Sequence, residues 1–360
     1  MRRCKLKLAM AMAVGRRYSW LALRRRPCVA QPTAMNMAAI VLTTVTALVA
    51  ALPFLPGSHG YGVADFLTAY TDPGVSRIEV TGDVILTSGL PELSRSLTIV
   101  GIGTKRPVID GRGKYSGISM SEFNLTVKNV EFRNLLNSGS SGGGAIYTSG
   151  ATLVIESCVF RGNKARSTSG EDNGYGGAVC AHESDFTISR CQFISNRAGA
   201  NGGAFQSLGE SSGSITDCQF SRNLAGNRGG AVALRPGGVD VRGCTFDGNK
   251  AAGDEGAGAL SCSEASCVVS NNVFKNNAAT SKSGLGGAVR FYAEDEGIPA
   301  LCKGNSFSGN IANGNRSSDN LYIWLVDGGP AEICDAQPPP LTLIELEGAS
   351  SVKYNECGRC

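Results

Sequence analysis

Histidine and tryptophan are nearly missing from this chain: it has two of each in 360 residues, and charged residues make up only 18%. His59 lies in the N-terminal leader, which leaves His182 as the only histidine of the body. With no second histidine and no Cys/His metal spacing, zinc chemistry is not expected. Trp20 and Trp324 cannot form an aromatic ladder for stacking sugars. No Gly-x-x-x-x-Gly-Lys-Ser/Thr string occurs, so the abundant glycine does not announce a phosphate loop. Serine is plentiful but has no nucleophile elbow. A leucine ladder and a helical 3.6-residue periodicity are also absent, which excludes leucine-rich and helical repeats. The first 60 residues hold nine of the 34 basic residues and no acid, so the body carries 25 basic against 30 acidic. Such a body gives no case for nucleic acid.

What the chain does have is a repeat. The triplet Phe, Asn, Ala at positions 1, 4 and 6 recurs at Phe160/Asn163/Ala165, Phe193/Asn196/Ala198, Phe220/Asn223/Ala225, Phe246/Asn249/Ala251, Phe274/Asn277/Ala279 and Phe307/Asn310/Ala312. Starting from a degenerate copy at Phe132, the phenylalanines are 28, 33, 27, 26, 28 and 33 residues apart. A small pair ending in glycine marches in step, from Gly143-Gly144 to Gly286-Gly287, with Ala257-Gly258 as one variant. A fixed period decides architecture before any single residue speaks about chemistry.

The spacing within a repeat carries geometry. Residues two apart in a strand face the same side, so Cys158 and Phe160 point together. Ile155 and Cys158 are three apart, which requires a bend at Glu156-Ser157. With a third short strand at Gly177-Ala178-Val179, each coil is expected to hold three strands and three bends. The prediction is an all-β, right-handed parallel β-helix with a short N-terminal helical cap. Phe is expected to stack on Phe inside the tube, and Asn to form a ladder of side-chain hydrogen bonds at a bend. The apolar position five before each Phe runs from Val127 to Cys302, and four cysteines, Cys158, Cys191, Cys218 and Cys244, fill a second column two before it. Free buried cysteine packs as a small hydrophobe, which is the reading for that column.

The copies CVFRGNKA…GGAV, CQFISNRAGANGGAF and CQFSRNLAGNRGGAV resemble the repeat of the chlamydial polymorphic outer membrane proteins, within the pectin lyase-like superfamily. The resemblance covers about residues 124–312 and implies the β-helix fold. It fixes no activity, because the superfamily mixes lyases, hydrolases, esterases and non-enzymatic adhesins. The chlamydial proteins carry a C-terminal membrane barrel. Residues 313–360 contain Pro338-Pro339-Pro340, end in Cys-Gly-Arg-Cys and lack alternating ten-residue strands, so this is not read as an autotransporter. The polygalacturonase-like cluster of Asn-Thr-Asp, Asp-Asp and Gly-His-Gly is absent.

The expected organisation is a leader over 1–60, an N-terminal cap and first coils over 61–123, repeat coils over 124–312, and a cysteine-pinned cap over 313–360. Val63–Tyr70 is expected to form the capping helix, Ile78–Leu86 and Ser96–Val100 early strands, and Leu321–Val326 and Leu341–Leu346 closing strands. The leader is Arg-rich over 1–34 and carries an apolar run of 18 residues, Ala38–Leu55, interrupted by Pro53. It reads as a signal peptide, with Met35 or Met37 as alternative starts. A retained signal anchor and an organellar leader are the competing readings. Secretion or a cell-surface location follows, and membrane association only if 38–55 is retained. Eleven cysteines in such a body imply some disulfides, with Cys262, Cys267, Cys334, Cys357 and Cys360 as candidates. Asn124 and Asn315 head glycosylation sequons, and Asn315, in a polar loop, is expected to be the more accessible.

Two function classes remain. One is a non-catalytic, adhesin-like β-helix that binds polysaccharide or a surface protein. Its contact candidates are a basic stripe after the repeat Asn, Lys164, Arg197 and Lys250, together with Trp324, whose alternative role is core or cap packing. The other is a pectin lyase-like enzyme on acidic polysaccharide, the only reading in which a cofactor, Ca²⁺, has a place. Its carboxylate candidates are Glu171, Asp172, Asp254 and Glu255, three coils apart and too distant for a dyad unless the 164–175 loop folds over. A structural wall or coat component is a third possibility.

Overall fold

The computed structural model describes residues 60–360 except 62, 140, 167–173, 255, 295–296, 328, 335–338 and 355–357. The leader, with its apolar run, lies outside the described residues. Among the described residues no helix is long and apolar enough to cross a membrane.

The repeats wind into a parallel β-helix. One coil shows the plan: Thr152–Glu156, Val159–Arg161, Lys164–Ala165 and Val179–His182. Each strand pairs in parallel with its equivalents in the coils before and after, giving sheets of twelve, nine, seven and nine strands, here called first to fourth in that order. A coil therefore has four strands where the sequence led us to expect three. The extra one is the two-residue segment after the repeat Asn, too short to show a period of two. The glycine pair is also not itself strand: the fourth-sheet strand begins after it, at Val179.

The corners are set by left-handed backbone. Ser157, Arg190 and Asp217, between the first and second sheets, have φ of 55°, 52° and 53°. The first glycine of the pair is left-handed too, as at Gly229 with φ of 63°. The second answers a different demand. A Cβ on Gly230 would overlap the Gly258 carbonyl oxygen of the next coil, and the same holds for Gly203 against Gly230. Two glycines thus stand side by side for two reasons, conformation and close approach.

Inside the tube the repeat phenylalanines stack in register, Phe132 to Phe307, with centroids 4.8–5.2 Å apart and planes within 12°. Parallel rings at this centroid separation lie within the range that aromatic pairs favour, and the coil rise, close to the strand spacing, sets it. The asparagines form the expected ladder. Asn163 Nδ2 donates to Asn196 Oδ1 at 3.0 Å and back to the Phe132 carbonyl at 3.1 Å, and the same pattern links Asn196, Asn223, Asn249, Asn277 and Asn310. Each Oδ1 also accepts the backbone N–H of the preceding Asn, as Asn196 does from Asn163 at 3.0 Å. Asn277 shows a fully paired member: its Oδ1 accepts from Asn249 N and Nδ2, both at 3.0 Å, and its Nδ2 donates to the Phe246 carbonyl and to Asn310 Oδ1, both at 3.0 Å. These side chains are nearly inaccessible, from 0% exposed at Asn277 to 4% at Asn310, and are tolerated there because their polar atoms are paired.

The cysteine column is free and buried, together with Cys180. Each backbone N–H of the column points at the next sulfur, and the role passes to asparagine at Asn272, whose Oδ1 accepts from Cys244 N at 2.8 Å. Burial pushes the Cys158 thiol well up and that of Cys180 up to about 12, so both stay protonated. Cys262 and Cys267 form a disulfide that ties two walls of one coil.

Cys302 departs from its expected inward register. Leu301, not Cys302, pairs with Val269, because the stretch Leu301–Phe307 holds one residue more than its equivalent Val269–Phe274 in the coil before. A one-residue slip sends a side chain to the other face of a sheet. Cys302 thus lies outside the main core, in a disulfide with Cys360. The sulfurs of Cys302, Cys334 and Cys360 lie within 4.8 Å of one another. Cys357 lies outside the described residues.

The N-terminal opening is covered by the helix Val63–Thr71, whose Phe66 and Tyr70 insert into the core beside Ile78 and Val80. Arg95 donates to the carbonyls of Ala69 and Tyr70, which the helix end leaves open. The expected strand Ile78–Leu86 is two, Arg77–Val80 and Val84–Ile85, on either side of a corner. The closing strands are Leu321–Leu325 and Thr342–Leu346.

Candidate binding surfaces

Every outward-facing side chain on a β-helix has equivalents one coil above and below, so function is written in columns. The repeat residues themselves offer a ligand nothing. Asn163, Asn196, Asn223, Asn249, Asn277 and Asn310 are buried, and so are Phe160, Phe193, Phe220, Phe246 and Phe274. Phe307, at the end of the stack, is half-buried. On the first and second sheets the charged columns neutralise themselves. Lys128 and Arg190 flank Glu156, Arg133 pairs with Asp110, Arg161 with Glu131, and Lys275 with Asp247. The two cations beside Glu156 hold its carboxyl below the usual carboxylate range.

The third sheet differs. Its inward row is the repeat alanine, buried from Ala165 to Ala312. Its outward row runs Leu136, Lys164, Arg197, Leu224, Lys250, Ala278 and Ile311. Lys164 and Arg197 are direct neighbours, whereas Leu224 separates Arg197 from Lys250, so the expected stripe is a pair plus an outlier. Arg166 joins the pair: a groove of about 310 Å³ is lined by Lys164, Ala165, Arg166, Arg197 and Gly199. All three cations are exposed, and none forms an ion pair with a described carboxylate. Arg166 stands one residue past the repeat Ala but belongs to no period, so the repeat does not point to it.

Of the lyase carboxylates, Glu171, Asp172 and Glu255 lie outside the described residues. Asp254 is exposed and accepts a hydrogen bond from the Ser281 hydroxyl; the hydroxyls of Ser281 and Ser283 hold its carboxyl below the ordinary range. An acid depressed in this way donates protons poorly at neutral pH.

The glycosylation candidates reverse their expected order. Asn124 is exposed at the entry to the strand Leu125–Lys128. Asn315 is half-buried, and its side chain caps a short 3₁₀ helix by accepting from Ser317 N at 2.9 Å. The polar loop is real, but its Asn is already engaged.

Trp324 is neither core nor alone. It points outward from the fourth sheet, pairs in register with Tyr292, and its ring lies 5.1 Å from the Tyr292 ring, tilted by 55°. Arg290 sits over both rings, with its guanidinium carbon 5.1 Å from the Tyr292 centroid and 5.9 Å from that of Trp324. Burial and the Glu294 carboxylate push the Tyr292 phenol up to about 12, so it remains a hydrogen-bond donor.

The stacked coils, the parallel sheets and the glycine-alanine corners agree with one family comparison. A family model described as right-handed beta helix region matches residues 116–327. The chain belongs to that family. No curated protein and no solved structure matches it. In a parallel β-helix, equivalent side chains repeat about 4.8 Å apart from coil to coil.

Proposed function

We propose that this right-handed β-helix protein is a secreted or cell-surface binding protein that holds acidic polysaccharide without turning it over. The observation that carries the reading is the groove of Lys164, Arg166 and Arg197 at the third sheet, three exposed cations of which none forms an ion pair with a described carboxylate, beside sheets on which Glu156, Asp110 and Glu131 are each paired with a cation. Arginine takes a carboxylate or sulfate in a bidentate grip and lysine takes it as a point charge. Polysaccharide carboxylates meet the groove as a row. The disulfides Cys262–Cys267 and Cys302–Cys360 fit an oxidising compartment. The likeness of the repeats to those of the chlamydial polymorphic outer membrane proteins supports an adhesin-like role.

The test uses the full chain with polygalacturonate and with neutral dextran as control, with and without Ca²⁺. Binding is followed by calorimetry, and turnover by absorbance of unsaturated uronides and release of reducing ends. The expected result is salt-sensitive binding of polygalacturonate, no product, and Kd weakened about tenfold in Lys164→Ala/Arg197→Ala, the loss of roughly 1.4 kcal/mol. Product formation would overturn the reading in favour of the lyase. Binding that ignores the double substitution would overturn the groove.

A further inference from the structure

We propose a second, chemically opposite site: an uncharged pyranose ring of a neutral glycan binds on the outward face of the fourth sheet, stacked on Trp324 and Tyr292.

The site is assembled by register. Arg290 and Tyr292 lie beside Tyr322 and Trp324 in the next coil, and Trp324 lies beside Glu345 in the coil after that. Alternate residues of a strand share a face, so these side chains form a grid on one surface. Arg290 is 1% exposed and holds both aromatic rings through its guanidinium, so the rings are fixed before a ligand arrives. Tyr292 and Trp324 remain half-buried, with part of each residue open to solvent.

The polar rim completes the chemistry. Glu345 accepts from the Tyr322 hydroxyl at 2.7 Å through Oε2, and Glu347 accepts from Trp324 Nε1 at 3.3 Å through Oε1. Glu294 accepts from the Tyr292 hydroxyl. All three carboxylates are exposed, and each uses one oxygen on an aromatic donor, which orients the group. Aromatic rings take the C–H face of a pyranose, and ionised carboxylates take its hydroxyls as strong acceptors.

Charge selects the ligand. Among the described residues the patch carries three carboxylates, Glu294, Glu345 and Glu347, and one cation, Arg290, so it is net negative where the third-sheet groove is positive. A uronate is repelled here and attracted there. The second site therefore does not depend on the first: it takes the neutral part of a glycan, and its failure would leave the acidic-polysaccharide reading standing.

Trp324 reports on its own site. In the full chain carrying Trp20→Phe it is the sole tryptophan. Its emission is titrated with gluco-, manno- and xylo-hexaose, and with a glucosamine oligomer as the cationic arm. Circular dichroism checks the fold of every variant. The expected result is a saturable emission change with at least one neutral oligosaccharide, weakened about tenfold or more in Glu345→Gln/Glu347→Gln and unchanged in Lys164→Ala/Arg197→Ala. Tyr292→Leu, which removes one ring without touching the reporter, is expected to weaken it as well. No change up to about 10 mM of any neutral oligosaccharide, weaker than the weakest useful affinity, would overturn the proposal. So would a response only to the glucosamine oligomer, or a response that survives the double Glu→Gln substitution.

Discussion

Asn223 stands mid-ladder, and replacing it with leucine tests what the ladder contributes. Leucine keeps the branching of asparagine, so Asn223→Leu opens no cavity, but its methyl groups are bulkier than the amide atoms they replace and add an overpacking cost to the loss of polarity. In the native chain Asn223 Oδ1 accepts from Asn196 N at 2.9 Å and from Asn196 Nδ2 at 3.0 Å. Its Nδ2 donates to the Phe193 carbonyl at 3.0 Å and to Asn249 Oδ1 at 2.9 Å. The Asn223 backbone N–H keeps its bond to Asn249 Oδ1. One buried backbone N–H, that of Asn196, is left with no partner, at a cost of about 1–3 kcal/mol. The other three groups each lose a bond worth about 0.5–1.5 kcal/mol. Leucine's extra burial returns about 1–2 kcal/mol. Before overpacking, the net loss is about 3 kcal/mol, which lowers Tm by roughly 6–12 °C in a domain of this size. The control is Gln219→Leu on the exposed face of the same coil, expected within about 0.5 kcal/mol of the parent. Thermal melts followed by circular dichroism check both. A melt of Asn223→Leu that coincides with that of Gln219→Leu would refute the claim that the ladder stabilises the coils.

The close approach behind the glycine pair predicts that Gly230→Ala destabilises by more than about 3 kcal/mol, because its Cβ would strike the Gly258 carbonyl. Gly238→Ala, whose Cβ would meet only the Ser212 hydroxyl oxygen at 3.9 Å, is expected to melt like the parent. The free thiols of Cys158, Cys180, Cys191, Cys218 and Cys244 are expected to be silent to a thiol reagent in the folded protein and to react after denaturation; reaction under native conditions would contradict the packed column. Acid should erode stability through Glu156. Its folded-state carboxyl is depressed, so its contribution is present above the unfolded carboxylate range and fades as pH falls through the depressed value. Glu156→Gln should therefore flatten the acid limb of a Tm-against-pH profile.

The repeat by itself determined the tube. Phe and Asn recurring at a nearly constant period can only stack in register, and a stack of asparagines from Asn163 through Asn277 to Asn310 is stable inside a wall only when each pairs with the next. The corner at Glu156-Ser157, the free cysteine column and the helix over the open end were likewise legible, because each depends on residues close in sequence or on the period itself. Tertiary structure decided everything that depends on how far one coil slips against another. The third-sheet strand is two residues long, too short to show the alternation that marks a strand. Cys302 turned outward because its coil holds one extra residue. Trp324 looked solitary because Tyr292 lies 32 positions away in sequence, in a stretch where the repeat has lost its regular length. Core columns are fixed by the period, whereas surface columns are fixed by the register that insertions leave behind. In this protein both proposed binding surfaces are built on those surface columns.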